Sequence, residues 1–286
     1  MNKVKSSNYS FEAINTSPSG LKDLAKFLSQ TFKSSKFTPE YLNWMYNQNP
    51  NGGVIGFNAI MEDELAGHYA VIPLEANYKN QKIKALLSVN TATGSKHQGK
   101  GLFTMLANKT YVESINLGFD IVFAVANANS ITGFIKKLNW KYIDQLDTCV
   151  SFTVPRKIES EKLDNCFTLP LSDIASKWRL ANPNFKYSKN NIGKINIIAN
   201  DINYFARSIV KISEANSHDT KPSMPKINFW VGMSNTYSWN ERPLMGIKIP
   251  EFLKPSPLHL IYRNLSSEIL LDRTNIHFEA INFDAF

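Results

Sequence analysis

Between Thr93 and Leu106 the chain reads TGSKHQGKGLFTML, with Gly99 and Gly101 one residue apart among Lys96, His97, Gln98 and Lys100. Strand-forming residues precede this stretch and an amphipathic run follows it. A helix that starts there leaves backbone N–H groups unpaired and carries partial positive charge. Glycines at such a start remove side chains, so a phosphate can come close and collect those N–H groups. Lys96, His97 and Lys100 add charge or donors. The chemistry on offer is a pyrophosphate cradle between a strand and a helix; a purely structural turn is the competing reading. The spacing is not that of the P-loop, nor of the dinucleotide fingerprint, which needs a third glycine. A second set lies in NFWVGMSNTYSWNERPLMGIKIP, where Trp230, Tyr237, Trp239 and Arg242 suit stacking a base and holding a phosphate. A β-rich core with scattered aromatics accounts for the same residues.

The whole chain agrees with an anionic ligand without choosing one. It has 286 residues, enough for two domains, with 32 Lys and Arg against 24 Asp and Glu, a net charge of +8. Only two cysteines occur, Cys149 and Cys166, without paired metal-type spacing. Reduced thiols and no metal are expected. The start, MNKVKSSNYSFEAI, lacks the apolar core of a signal peptide. No apolar run approaches the ~20 residues of a membrane span. A soluble, cytoplasmic protein is expected.

The elements that must carry these residues follow from periodicity. Leu21, Leu24, Leu28 and Phe32 recur at helical steps. A second helix opens at Thr38 as N-cap with Pro39 in its first position and stops at Asn49–Gly53. Strands are expected at Val54–Met61 and Leu65–Ile72, around an acidic turn, and again over QKIKALLSVNTAT. The helix period returns from Leu102 to Leu117, pairing Leu102 with Leu106 and Phe103 with Ala107, Tyr111 and Ile115. A buried strand, FDIVFAVAN, leads to a short helix capped by serine in SITGFIKKLNW, then to a last strand region, KYIDQLDTCVSFTVP. The charged stretch RKIESEKLDN reads as a linker, so domains 1–155 and 156–286 are expected. The second half repeats a pattern of the first: Trp44 and Trp178, then Asn49-Pro50 and Asn182-Pro183, then two strands. A tandem of related domains and chance similarity both explain it. The second copy has no glycine turn.

This order of elements resembles the GCN5-related N-acetyltransferase (GNAT) family over about residues 10–155. The family's pyrophosphate motif, Gln/Arg-x-x-Gly-x-Gly/Ala, is met by Lys96-His97-Gln98-Gly99-Lys100-Gly101, with lysine in the first position. VANANSITGFIKKLNW is similar to the family's second element, with Asn139 in place of a glycine. The resemblance implies an α/β fold with a mixed, splayed central sheet and flanking helices, followed by a degenerate GNAT-like α+β domain. It implies acyl-CoA as co-substrate, either acetyl-CoA or a short hydroxyacyl-CoA. Thr91, Ala92 and Thr93 would offer backbone groups to the pantetheine arm, Gln98 to Leu102 would hold the pyrophosphate, and Asn129 and Phe134 would line the far side. An amine would then attack the thioester directly. The family's usual acid, a tyrosine, is missing, and Ile135 stands in its place. His68 and Glu75 are candidate bases, and Asn90 is placed to orient the amine. For His68 a packed or surface histidine is the competing reading, and for Asn90 an ordinary polar strand residue.

The C-terminal half, through LHLIYRNLSSEIL and IHFEAINFDAF, resembles two-domain GNAT proteins of bacterial surface-polysaccharide pathways. That resemblance implies a nucleotide-linked amino sugar as acceptor, such as a dTDP-3-amino-3,6-dideoxyhexose, with the second half closing a pocket between the domains. A monomer that binds no nucleic acid is expected. The alternatives are a tandem-GNAT aminoacyl transferase fed by tRNA and a non-catalytic acyl-CoA-binding regulator.

Overall fold

Ser17 accepts the N–H of Gly20 and Pro18 fills the first turn, which starts helix α1 (Pro18–Phe32) in the computed structural model. Residues 9–215, 226–238, 247–248 and 257–283 are described. Leu21, Leu24 and Leu28 are buried as expected, but Phe32 is exposed and stacks on Phe37. Thr38 caps α2 (Pro39–Tyr46), accepting the N–H of Tyr41 at 3.1 Å. This short helix buries Tyr41, Leu42, Trp44, Met45 and Tyr46. Tertiary packing holds it, and the cap sets where it begins. Thr38→Ala is expected to lower unfolding free energy by about 1 kcal/mol, read as a drop in the urea midpoint with unchanged slope.

The chain divides into two compact units. The first comprises Met1–Leu74, Ala85–Val122 and Asn264–Ser267. Within it β1 (Ser10–Ala13) runs antiparallel to β2 (Ile55–Met61), and β2 antiparallel to β3 (Glu64–Tyr78), with Asn58 opposite His68. Glu62 and Asp63, both at positive φ, make the acidic turn between them. β4 (Gln81–Thr93) follows β3 in the sheet, and β5 (Ile121–Ala126) enters beside β4. β3 outruns its expected end at Ile72 because Leu74 and Ala76 stay buried. Helix α3 (Leu102–Asn116) packs on β2 and buries Leu102, Leu106, Ala107, Thr110, Tyr111 and Ser114. The expected Ile115 is exposed instead. Thr110 and Ser114 take the inner face because each hydroxyl bonds the carbonyl one turn back, at 2.9 and 2.7 Å.

The second unit comprises Glu75–Lys84, Phe123–Arg263 and Glu268–Phe286. Asn127 caps α4 (Ala128–Leu138), with Ser130, the expected cap, as the return arm of a capping box. Asn139 ends the helix at φ 55, the left-handed position that a glycine usually takes. The last strand region is two strands, β6 (Lys141–Gln145) and β7 (Asp147–Ser151). β6 joins a sheet in the order β5-β15-β6, β15 being His259–Asn264. The expected linker is folded: it supplies β8 (Lys157–Ile158) and a 3-10 turn at Ser160–Asn165, with Ile158 buried in a core. Ser172 caps α5 (Asp173–Leu180). β9 (Tyr187–Ile192), β10 (Ile195–Asp201), β11 (Ala206–Glu214) and β12 (Ile227–Ser234) continue the chain, with β13 (Tyr237–Ser238) pairing β8. The larger sheet here has the order β14-β7-β12-β11-β10-β9, where β14 is Ile247–Lys248 and β16 (His277–Glu279) pairs with β12.

The repeated pattern has a physical counterpart in each unit. Asn49 accepts the N–H of Asn51 at 3.1 Å, and Asn182 accepts that of Asn184 at 3.0 Å. Both asparagines are buried, each follows a helix with a buried tryptophan, and each precedes a hairpin.

Candidate active site

The glycine turn is built as the spacing predicts. A 3-10 turn at Ser95–His97 follows β4, then Gly99 at φ 74 and Gly101 at φ 78 swing the chain into α3. That left-handed backbone is open to glycine at little cost. No side chain caps α3, and its first turn holds no acid. A Cβ at Gly99 would meet nothing within 4 Å, and one at Gly101 only the Met105 methyl at 3.9 Å. The space before the helix is therefore open, and its N–H groups and dipole face it. Lys96, Gln98 and Lys100 are exposed, His97 is half-buried and Leu102 anchors the helix in the core. The His97 Nδ1 lies 2.7 Å from the Tyr9 hydroxyl, and the Lys100 ammonium sits 5.8 Å from the centre of the Tyr9 ring. A diphosphate fits this donor set: uncapped N–H groups, two lysines and no facing carboxylate in the first turn. Immediately upstream on β4, Thr91 and Thr93 are half-buried and Ala92 is buried.

His68 and Asn90 belong to the same unit and are joined through Tyr46. His68 is fully buried on β3, against the expectation of a base that meets substrate. Burial pushes its imidazole down to about 3, so the ring is neutral. Its Nδ1 lies 2.7 Å from Asn58 Oδ1 and its Nε2 2.9 Å from the Tyr46 hydroxyl. Asn90 Nδ2 donates to that same hydroxyl at 3.0 Å. Burial also pushes the Tyr46 phenol up. Asn90 stands at φ 53 inside β4, a left-handed conformation that asparagine tolerates better than most residues.

The second unit holds the other expected residues. Glu75 is exposed on β3. Asn129 is exposed, its N–H held by Asn127. Phe134 is buried, edge-on to Trp140 at 4.7 Å. Trp230 is a core residue, packed with Ile195, Ile197, Ile209 and Tyr237, because β12 is a central strand. Its ring is therefore closed to a stacking base. Tyr237 is buried too, donating to Glu279 at 2.6 Å, and its phenol is raised by burial and by that carboxylate. Tyr237 lines a cavity of about 350 Å³, with Lys211, His277 and Glu279 also on its wall. Trp239 and Arg242 lie outside the described residues. Among the described residues there is no group of three or more His, Cys, Asp or Glu that could hold a metal, and no helix long and apolar enough to cross a membrane.

Residues 12–143 match the family model described as an acetyltransferase (GNAT) domain. Over that stretch the chain is similar to a GNAT acetyltransferase domain. Solved structures share its fold. A probable N-acyltransferase from Enterococcus faecalis V583 aligns at a TM-score of 0.63 and 8% identity, covering 91% of this chain and 73% of that one. A GCN5-related N-acetyltransferase from Anabaena variabilis ATCC 29413 aligns at 0.62 and 12% identity, with the same coverage. Another from Kribbella flavida aligns at 0.61 and 8%, covering 90% and 72%. At such identities the likeness is one of fold. No curated protein matches the sequence. The protein is an acyltransferase, and GNAT acetyltransferases take acyl-CoA as co-substrate.

Two residues of the network around His68 were not among the candidates from sequence. Tyr46 sits at the end of a helix and Asn58 in a strand, 22 and 10 residues from His68. No local spacing signals such contacts. The hairpin register of β2 and β3 across the acidic turn, which sets Asn58 opposite His68, is the one signal that pairs two of them.

Proposed function

We propose that the protein moves an acetyl or short hydroxyacyl group from acyl-CoA to the amine of a nucleotide-linked amino sugar, acting in the cytoplasm as a monomer. The observation that carries the donor half is the open, uncapped start of α3 behind Gly99 and Gly101. In this reading its N–H groups, with Lys96 and Lys100, hold the diphosphate, and Thr91–Thr93 offer backbone groups to the pantetheine arm as an added strand would. The amine nitrogen attacks the thioester carbon, the C–S bond breaks, and the thiolate takes a proton from water, since Ile135 can donate none. The ammonium proton formed on attack also leaves to water. The acceptor half is supported by the net charge of +8, which suits a sugar carried on a diphosphate, and by the resemblance of the C-terminal half.

Mass spectrometry tests the reading. The protein is mixed with acetyl-CoA or 3-hydroxybutyryl-CoA and a panel of dTDP- and UDP-linked amino sugars, their free sugars, and aminoacyl-tRNA with a peptide amine. The expected product is one nucleotide-linked sugar heavier by one acyl group. Equal acylation of the free sugars, or transfer from tRNA, overturns the acceptor assignment.

A further inference from the structure

The hydrogen bonds behind Asn90 have a direction. Asn58 presents a carbonyl oxygen to His68 Nδ1 at 2.7 Å, so Nδ1 carries the imidazole proton and Nε2 is an acceptor. The Tyr46 hydroxyl, 2.9 Å from Nε2, spends its single proton there. Its oxygen is then left to accept, and Asn90 Nδ2 donates to it at 3.0 Å. The same amide nitrogen faces Met45 Sδ at 3.5 Å. Both amide protons are thus committed, while Asn90 Oδ1 receives no hydrogen bond from any described residue. The other imidazole tautomer would reverse every link. Nε2–H would donate to Tyr46, Tyr46 would donate to Asn90 Oδ1, and the amide would turn to leave its NH2 group unpaired. The buried ring therefore decides whether Asn90 offers an acceptor or a donor.

We propose that Asn58, His68 and Tyr46 are positioning residues that lock the Asn90 amide with its carbonyl oxygen available, to accept an N–H of the attacking amine beside Thr91–Thr93. This rests on the amine-acylating function above. An amine that gives one N–H to a fixed acceptor has its lone pair aimed, which lowers the orientational part of the barrier. Asn90 takes no proton, because an amide oxygen is not a base at neutral pH. His68 does not shuttle one either: it stays neutral, with one tautomer, throughout the working range. The partners that face the ring, Asn58 and Tyr46, are uncharged there, so no ionisation nearby reverses the chain.

The geometry is tested first without substrate. In the full chain labelled with 15N-histidine, His68 is expected to show a protonated Nδ1 and an unprotonated Nε2. The Asn90 side-chain amide protons are expected to exchange at least tenfold faster in Tyr46→Phe than in the parent. A protonated Nε2, or unchanged exchange, overturns the proposal. The second arm uses acetyl-CoA with a dTDP-3-amino-3,6-dideoxyhexose. Tyr46→Phe and Asn90→Ala are expected to lower kcat by about 10–100-fold with the Kd of acetyl-CoA within about twofold. His68→Gln, whose amide oxygen can still accept from Tyr46, should keep more activity than His68→Leu at matched thermal stability. Equal loss in those two, or unchanged kcat in Tyr46→Phe, also overturns it. No turnover of this sugar by the parent, with the tautomer as stated, rejects the acceptor assignment and retains the lock. The reverse tautomer rejects the lock whatever the acceptor.

Discussion

Gly99→Asp raises the Kd of acetyl-CoA by about 100-fold or more while the protein stays folded. The substitution meets no obstacle inside the molecule, since a Cβ there has no neighbour within 4 Å. The cost to the fold is the left-handed backbone at φ 74, about 1 kcal/mol for a residue other than glycine and less for aspartate or asparagine. The cost to binding is larger. A carboxylate would stand where the diphosphate collects the first N–H groups of α3. Two unit charges about 4 Å apart at an effective dielectric of 20 repel by about 4 kcal/mol before screening by salt. A hundredfold loss needs only about 2.7 kcal/mol. Gly99→Asn separates charge from bulk: it carries the same backbone strain with a neutral side chain, and its Kd should rise far less. Calorimetric titration with acetyl-CoA and free CoA reads both. An unchanged Kd in a folded Gly99→Asp protein moves the donor site away from this turn.

The second large effect is loss of stability in acid, and it belongs to His68. The unfolded chain protonates this imidazole below about 6.5, an ordinary histidine value. The folded protein, with the ring at about 3, does not. The contribution is therefore complete above the unfolded value and is lost as pH falls toward the folded one. Its slope is about 1.4 kcal/mol per pH unit, which gives about 2.5 kcal/mol between pH 7 and pH 4.5. Carboxylates titrate in the same window, so the comparison is with His68→Gln, which shares that background and lacks the ring. The variant is less stable at pH 7, and urea denaturation should show its deficit shrinking by that amount at pH 4.5. Two curves that stay parallel across the window would mean a ring that is accessible or already charged.

What could be read in the sequence was local. The two glycines, the strand before them and the helix after them lie within a few residues of one another, and their conformations follow from chemistry that acts over that range. Thr38 with Pro39, and Glu62 with Asp63, were legible for the same reason. Burial on central strands was not. β3 is buried almost along its whole length, so alternation vanishes and a histidine on it gives no hint of which way it faces. Trp230 invited a stacking role because aromatics cluster near it, yet β12 is flanked by β7 and β11 and closes over it. β15 lies beside β6 although more than a hundred residues separate them, and only the fold makes them neighbours. The charged linker was misread because its composition is polar, while one residue, Ile158, carries the burial that folds it.

The two cysteines bear on how this enzyme can be watched. Transfer from acyl-CoA releases a thiol, and the simplest continuous readout is an aryl disulfide that turns colour when a thiolate cleaves it. Such a reagent is useful only where the protein's own thiols stay silent. Cys166 is 3% exposed, its Sγ–H donates to the Lys162 carbonyl at 3.1 Å, and burial pushes its thiol up. It offers little thiolate at neutral pH and little access to a bulky reagent. Cys149 is only half-buried. The background is thus one sulfur per chain at most, which reacts once and stops, while free CoA keeps accumulating with each turnover.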